Sequence, residues 1–282
     1  MAAASVPSEA PAHQKAGAIE SVRHPAARRV ADVLRNRSGR PRIIVIDDAE
    51  NIGQATTSGL RIDSVYTTSS AASDQCATRP VDDGVHHYLL DDHVANALFG
   101  GQKHTRMFAL ARAPRAWALD DLRGSRGDVV VLDGVRMVGN IGAITRTASA
   151  LGAAGVIVLD SGLRTTFDRR LIRASRGLVF SLPVVLASRT ECAGFLQREK
   201  VRIATLSADA ESPLHAIRSV TDRIALILGS ERDGVSQGFD DLANHRFSIP
   251  MKPGVESLNV SVAAGIALYE HAAGQEAASP SG

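Results

Sequence analysis

The 282-residue chain has two cysteines, Cys76 and Cys192, far apart in sequence. They build neither a disulfide framework nor zinc-ligand spacing, so both read as small buried or half-buried residues in a reducing compartment, and no metal is expected. Aromatic residues make up only 4% of the chain, with a single tryptophan. Nucleic-acid contacts therefore cannot rest mainly on base stacking. No apolar run approaches the ~18 residues of a membrane-spanning helix. The opening MAAASVPSEAPAHQKAG lacks an apolar core behind a positive start, unlike a secretory signal. A cytoplasmic protein without a membrane partner is expected. The G-x-G-x-x-G fingerprint of dinucleotide sites is missing as well, because Gly142, Gly152 and Gly155 do not form it. That weighs against a NAD-binding enzyme with Asp160 on a ribose.

What is present is organised around residues 128–159, DVVVLDGVRMVGNIGAITRTASALGAAGVIVL. Val129–Leu132 is a continuous apolar run closed by Asp133 and Gly134, the pattern of a buried strand. Asn140 stands where a helix N-cap belongs. Ile141, Ile144, Ala148 and Leu151 repeat at helical spacing, glycines stop the helix, and Gly155–Leu159 is a second apolar strand. Strand, helix and strand this close form a right-handed parallel unit. Asn140, Gly142 and Arg146 then gather at one end of the sheet, where open α/β folds bind ligands.

In chain order, residues 1–22 are rich in Ala, Ser and Pro and read as a disordered tail. Residues 23–112 alternate strands and helices, with strands at Ile43–Ile46, Ile62–Tyr66 and Met107–Ala111, and form a small α/β domain. Ser69–Val85 resists assignment. Residues 113–127 are the linker, with Trp117 expected to pack between domains. Residues 128–273 form the second domain, with helices at Thr190–Glu199, Pro213–Val220 and Val260–His271 and a last strand at Phe247–Met251. Residues 274–282 are a flexible tail.

Net charge is only +2, but the first 42 residues carry eight Lys or Arg against three acidic residues. A basic amino-terminal element suits phosphates, with Arg28 and Arg29 on an amphipathic helix. A second basic run holds Arg164, Arg169, Arg170 and Arg173 and reads as a phosphate-positioning patch, against the plainer reading of a solvated helix face. Lys103, His104 and Arg106 form a smaller cluster.

Three polar loops each follow an apolar strand of the second domain: 140–146, 229–234 and 251–259. In a mostly parallel sheet they share one edge. Glu231 is placed to pair with Arg146 and fix its guanidinium.

N-x-G-x-x-x-R at Asn140–Arg146, LILGSERDG at Leu226–Gly234 and IPMKPGVESLNVSVAAGIAL at Ile249–Leu268 resemble, in order, the three motifs of the SpoU (TrmH-like) class of SPOUT RNA 2'-O-ribose methyltransferases. GDVVVLDGV, DRRLIRASRG and FSLPVVL are similar to the thiostrepton- and nosiheptide-resistance members. The resemblance implies an α/β domain with a parallel sheet and a deep trefoil knot, behind an RNA-binding domain resembling a ribosomal protein. It implies a homodimer, S-adenosylmethionine as methyl donor, and one adenosine of 23S rRNA in the GTPase-associated centre as target, with thiopeptide resistance as the result. Another rRNA or tRNA nucleotide is the alternative target, and a silent RNA-binding protein the alternative class.

By the same resemblance Leu206, Gly229, Ile249 and Leu258 contact the donor, Ser257 and Asn259 line its loop, and Arg176 faces donor or RNA. Asn140, Glu231 and Arg146 are the catalytic group. The family assigns Arg146 as base. Guanidinium stays protonated in nearly all settings, so a phosphate clamp that also stabilises the developing alkoxide is an equal reading.

Overall fold

The computed structural model describes residues 18–72, 84–100, 106–255 and 257–278. Period-two alternation builds the first sheet from β1 (Ile43–Asp47), β2 (Ile62–Thr68), β3 (His86–Leu90) and β4 (Met107–Arg112). The order is β1-β4-β2-β3, with β2 and β3 parallel and the other pairs antiparallel. Ile44, Ile46, Ala109 and Ala111 face one way, with Ile52 and Ala55 of α2 (Ala49–Thr57). Val45, Tyr66, Phe108 and Leu110 face the other, under α1 (Pro25–Arg35) and α4 (Asp92–Leu98). A single-turn helix, α3 (Ser69–Ala72), follows β2.

The sequence pattern does not reveal β3, because His-His-Tyr breaks the apolar alternation. Nor does the whole of 1–22 behave as a tail: Ile19 is buried, and its backbone donates to Leu89 O and accepts from Asp91 N.

The second sheet comes from continuous apolar runs, the signature of strands covered on both faces. Its strands are β5 (Val129–Asp133), β6 (Gly155–Leu159), β7 (Val184–Ala187), β8 (Arg202–Leu206), β9 (Ser212–Pro213), β10 (Ile224–Gly229) and β11 (His245–Ser248). The order is β7-β6-β5-β10-β8-β11-β9, and each pairing is parallel. Helices α5 (Val138–Ala150), α6 (Arg169–Ala174) and α9 (Val260–Ala278) cover one face. Helix α7 (Arg189–Arg198) and the short α8 (Gln237–Asp240) cover the other.

The structure departs from the sequence pattern in four places. Helix α5 starts at Val138, behind Met137, so Asn140 lies inside the first turn rather than capping it. Its carboxamide is thereby released to tertiary partners. Residues 214–219 form a 3-10 segment instead of an α-helix. The last strand is His245–Ser248, two residues earlier than expected. Helix α9 runs on past His271 through 278, because Gly274 lies against Arg218 (an added Cβ would fall 2.3 Å from Arg218 O) and Gln275 donates to Thr221 O.

The domains share one apolar core. Ile44, Ile46, Ile52 and Ala109 pack in the same cluster as Leu171, Ile172, Val179 and Ile144. Leu171 and Ile172 are fully buried, each worth roughly 1.5–3 kcal/mol. The linker is docked as well: Leu122 is fully buried, and Arg223 donates to Leu122 O and Gly127 O. Trp117 is half-buried and packs on the cluster beneath α7, donating to Val179 O. Gly142 serves packing: an added Cβ would fall 2.3 Å from Ala174 Cβ, so α5 and α6 approach at backbone distance.

Candidate functional site

The carboxyl ends of the parallel strands assemble the site. Asp133 closes β5 and sits in register with Leu159 on one side and Gly229 on the other. β10 pairs in turn with β8, and β8 with β11, so Leu206, Gly229 and Ile249 reach one edge. The chain runs from β5 to β6 on one flank, and β10 lies on the other. That is a topological switch point, the usual ligand crevice of such sheets.

The three loops meet through Asn140. Its Nδ2 donates to Glu231 Oε1 at 3.1 Å, and its Oδ1 accepts from Asn259 Nδ2 at 3.2 Å. Asn259 also caps α9, its Oδ1 accepting from Ser261 N at 2.8 Å. One carboxamide thus joins a helix start, the loop after β10 and the loop before α9. The predicted Glu231–Arg146 pair is not formed, since Glu231 is taken by Asn140. Arg146 is exposed on α5 and makes no hydrogen bond or ion pair among the described residues.

Gly229 allows the loop after β10 to fold back on itself: an added Cβ would fall 1.9 Å from Gly234 C. Leu206, Ile249 and Leu258 remain half-buried at this edge, while Leu226 and Leu228 beside them are buried. Apolar surface is left there for a ligand to cover. Ser257 is exposed in the same loop.

A cavity of about 450 Å³ opens on the edge, lined by Asp133, Asn140, Asp160, Arg189, Glu231 and Ser236 among others. Asp133 is buried and accepts from Arg189 Nε at 2.7 Å and Ser236 N at 2.8 Å. Arg189 also pairs with Asp160. Asp133, Arg189 and Ser236 were not singled out from sequence. A charged residue ending an apolar strand was the available signal for Asp133; nothing local marked the other two.

The arginines scatter. Arg169 lies 2.6 Å from the buried Asp47 carboxylate and stacks 4.4 Å from the Phe99 ring, while Arg173 approaches Asp47 at 3.9 Å. Arg170 is turned onto Asp168. Burial alone would raise the Asp168 carboxyl, but hydrogen bonds from Arg170 outweigh it and hold it below the usual range. Arg176, expected at donor or RNA, pairs with Glu50 of the first domain at 2.9 Å. The basic run is therefore largely a domain clasp, because it faces the acidic Asp47–Glu50 turn. Arg164 stays exposed and touches Arg37 O. Arg28 is exposed, and Arg29 pairs with Asp63 at 2.8 Å. Arg106 is exposed at the start of β4, while Lys103 and His104 lie outside the described residues. Among the described residues no group of three or more His, Cys, Asp or Glu is arranged for a metal, and no helix is long and apolar enough to cross a membrane.

Comparison with known proteins meets this geometry from outside. Residues 16–125 match the family described as thiostrepton-resistance methylase, N terminus, and residues 128–269 match the SpoU rRNA methylase family. The chain is 43% identical over 253 residues to a 23S rRNA (adenosine(1067)-2'-O)-methyltransferase of Streptomyces laurentii, covering 88% of this chain and 92% of that one. A crystal structure of an RNA 2'-O ribose methyltransferase superimposes with a TM-score of 0.74 at 26% identity, over 91% of this chain and 98% of the other. The SpoU methyltransferase AviRb from Streptomyces viridochromogenes, in complex with the cofactor AdoMet, shares the fold with a TM-score of 0.76 at 23% identity, over 91% and 99%. Three motif loops joined on one sheet edge, and family matches spanning both domains, make this chain a member of the SpoU rRNA methylase family.

Proposed function

We propose that the protein methylates the ribose 2'-hydroxyl of one adenosine in the GTPase-associated centre of 23S rRNA, and that this confers thiopeptide resistance. The observation that carries the reading is the Asn140 bridge, which links all three motif loops. The similarity to the S. laurentii enzyme over nearly the whole chain supports the adenosine and the rRNA. The substrate places the enzyme in the cytoplasm.

S-adenosylmethionine, when bound, supplies an electrophilic methyl group on a sulfonium. The half-buried apolar side chains Leu206, Ile249 and Leu258, beside the backbone of the 229–234 loop, are the surface to hold it. Asn140 and Asn259 lock that surface to α5 and α9. Fixed alignment should provide much of the acceleration, since a ribose hydroxyl is a weak nucleophile at neutral pH. Arg146, cationic and without an ion-pair partner among the described residues, grips a neighbouring phosphate and stabilises oxyanion character as the 2'-oxygen gives its proton to solvent water.

The homodimer belongs to the same reading. Val262, Ile266 and Tyr269 are exposed on α9, opposite the buried Ala264, Ala267 and Leu268. A helix apolar on both faces calls for a second cover, which a second copy supplies. The trefoil knot is part of the proposal too, its supports being the similarity in fold and the placement of β8 between β10 and β11.

Incubation with labelled S-adenosylmethionine and a 23S fragment from the GTPase-associated centre, followed by nucleotide mapping, tests the reading. Label on one adenosine ribose is expected. Label confined to other RNA would move the target, and no label on any RNA would overturn the activity.

A further inference from the structure

The cavity beside Asn140 and Glu231 has a second wall that belongs to none of the three motif loops. Asp160, just past β6, and Arg189, the first residue of α7, form it. The Arg189 guanidinium is held from two sides: Nε donates to the buried Asp133 and Nη1 to Asp160. Among the described residues no other acceptor takes the remaining N–H bonds of its fork, which are left to donate. Asp160 is half exposed, and its carboxylate has lone pairs beyond those given to Arg189. Nearby, Ser236 lines the same cavity, and its buried hydroxyl has no hydrogen-bond partner among the described residues. A buried hydroxyl without a partner costs free energy, so it marks a place where a ligand atom completes the structure.

We propose that this wall reads the base of the acceptor nucleotide and that the base it fits is adenine. The inference rests on the methyltransferase reading above and adds the residues that choose the nucleotide. Arg189 beside Asp160 presents a donor next to an acceptor, in an order fixed by their mutual ion pair. Adenine offers the complement, N7 as acceptor beside the N6 amino donor. Guanine shows two acceptors, N7 and O6, on that edge, and O6 would meet the Asp160 carboxylate. The cavity, about 450 Å³, lies in the range of small-ligand sites and accepts one nucleoside turned out of its stack. Because Asn140 and Glu231 line the same cavity, a base held on this wall brings its ribose to the motif residues. Ser236 supplies a further hydrogen bond, and Asp133 acts only by positioning Arg189 and the Ser236 backbone.

The test compares two RNA fragments, one with adenosine at the target and one with purine riboside, which lacks the amino group. The intact protein should favour adenosine by on the order of 10²-fold in kcat/KM, since a site built to hydrogen-bond a substrate group rejects its absence strongly. Asp160→Asn, a half-exposed change that leaves the fold intact, should reduce that preference to a few-fold. Ser236→Ala should lower kcat/KM by about ten-fold at unchanged or raised thermal stability, because it removes an unsatisfied hydroxyl; a purely structural role would not separate those readouts. Equal transfer to both fragments would overturn the inference. So would a preference unchanged in Asp160→Asn together with full activity in Ser236→Ala. Absence of transfer to every RNA would overturn the methyltransferase reading itself, and this inference with it.

Discussion

Arg169 and Asp47 meet at 2.6 Å across the domain boundary, and the Asp47 carboxylate is wholly buried. A buried ion pair contributes little net stability, but removing one partner leaves an uncompensated charge. Asp47→Ala should therefore cost about 3–5 kcal/mol in urea unfolding. Asp47→Leu combined with Arg169→Met should recover most of that loss. A single variant as stable as the parent would show that Arg169 reaches solvent when released.

Arg146 offers the opposite case. It is exposed and has no partner within the described chain, so Arg146→Ala should change stability by no more than about 0.5 kcal/mol. Methyl transfer should fall by on the order of 10²-fold or more, as expected for a lost electrostatic stabiliser. Single-turnover rates and melting curves on one preparation separate the two effects. Arg146→Lys with near-full activity would reject a role that depends on the guanidinium fork.

The Asn140–Glu231 hydrogen bond can be inverted. Asn140→Asp places a carboxylate against the Glu231 carboxylate at a position where 3.1 Å now separates donor from acceptor. Transfer should drop at least ten-fold, about 1.4 kcal/mol. Adding Glu231→Gln restores a donor and should recover much of the rate. No recovery would mean that the Glu231 charge itself is needed.

His271 ties α9 to the sheet, with Nδ1 2.6 Å from Asp128 Oδ2 and Nε2 2.9 Å from Val220 O. Burial opposes its charge, but the Asp128 hydrogen bond, the Asp128 charge and the Val220 carbonyl outweigh it, so its pKa is raised above the usual 6.5. A folded pKa above the unfolded one gives stability that is complete below about pH 6.5 and is lost as pH rises through the raised value. Urea unfolding from pH 6 to pH 9 should show this decline in the parent and a flatter profile in His271→Gln. Parallel profiles would remove His271 as the cause.

Much of the second domain could be read directly from sequence. Val129–Leu132, Gly155–Leu159 and Arg223–Leu228 are apolar runs too short for helices, and strands buried on both faces leave that mark whatever surrounds them. That Asn140, Glu231 and Asn259 share one edge could be read for a similar reason, since each follows a strand of one parallel sheet. The arginines from 164 to 176 were harder. On charge alone they read as an RNA patch, yet Arg169, Arg173 and Arg176 turn to Asp47 and Glu50, more than a hundred residues away. Glu231 likewise chose Asn140 over Arg146, because α5 starts three residues early and places Asn140 inside its first turn.

Local pattern alone marked most of the second sheet and the motif residues, because periodicity, turn chemistry and motif spacing act over a few neighbouring positions; it missed β3 and the true ends of α5 and α9. Packing of the two sheets fixed which charges meet, which stay exposed, and that Asp133, Asp160, Arg189 and Ser236 share one cavity. Pairing and desolvation depend on distances between segments far apart in the chain, and those distances exist only once the sheets have packed.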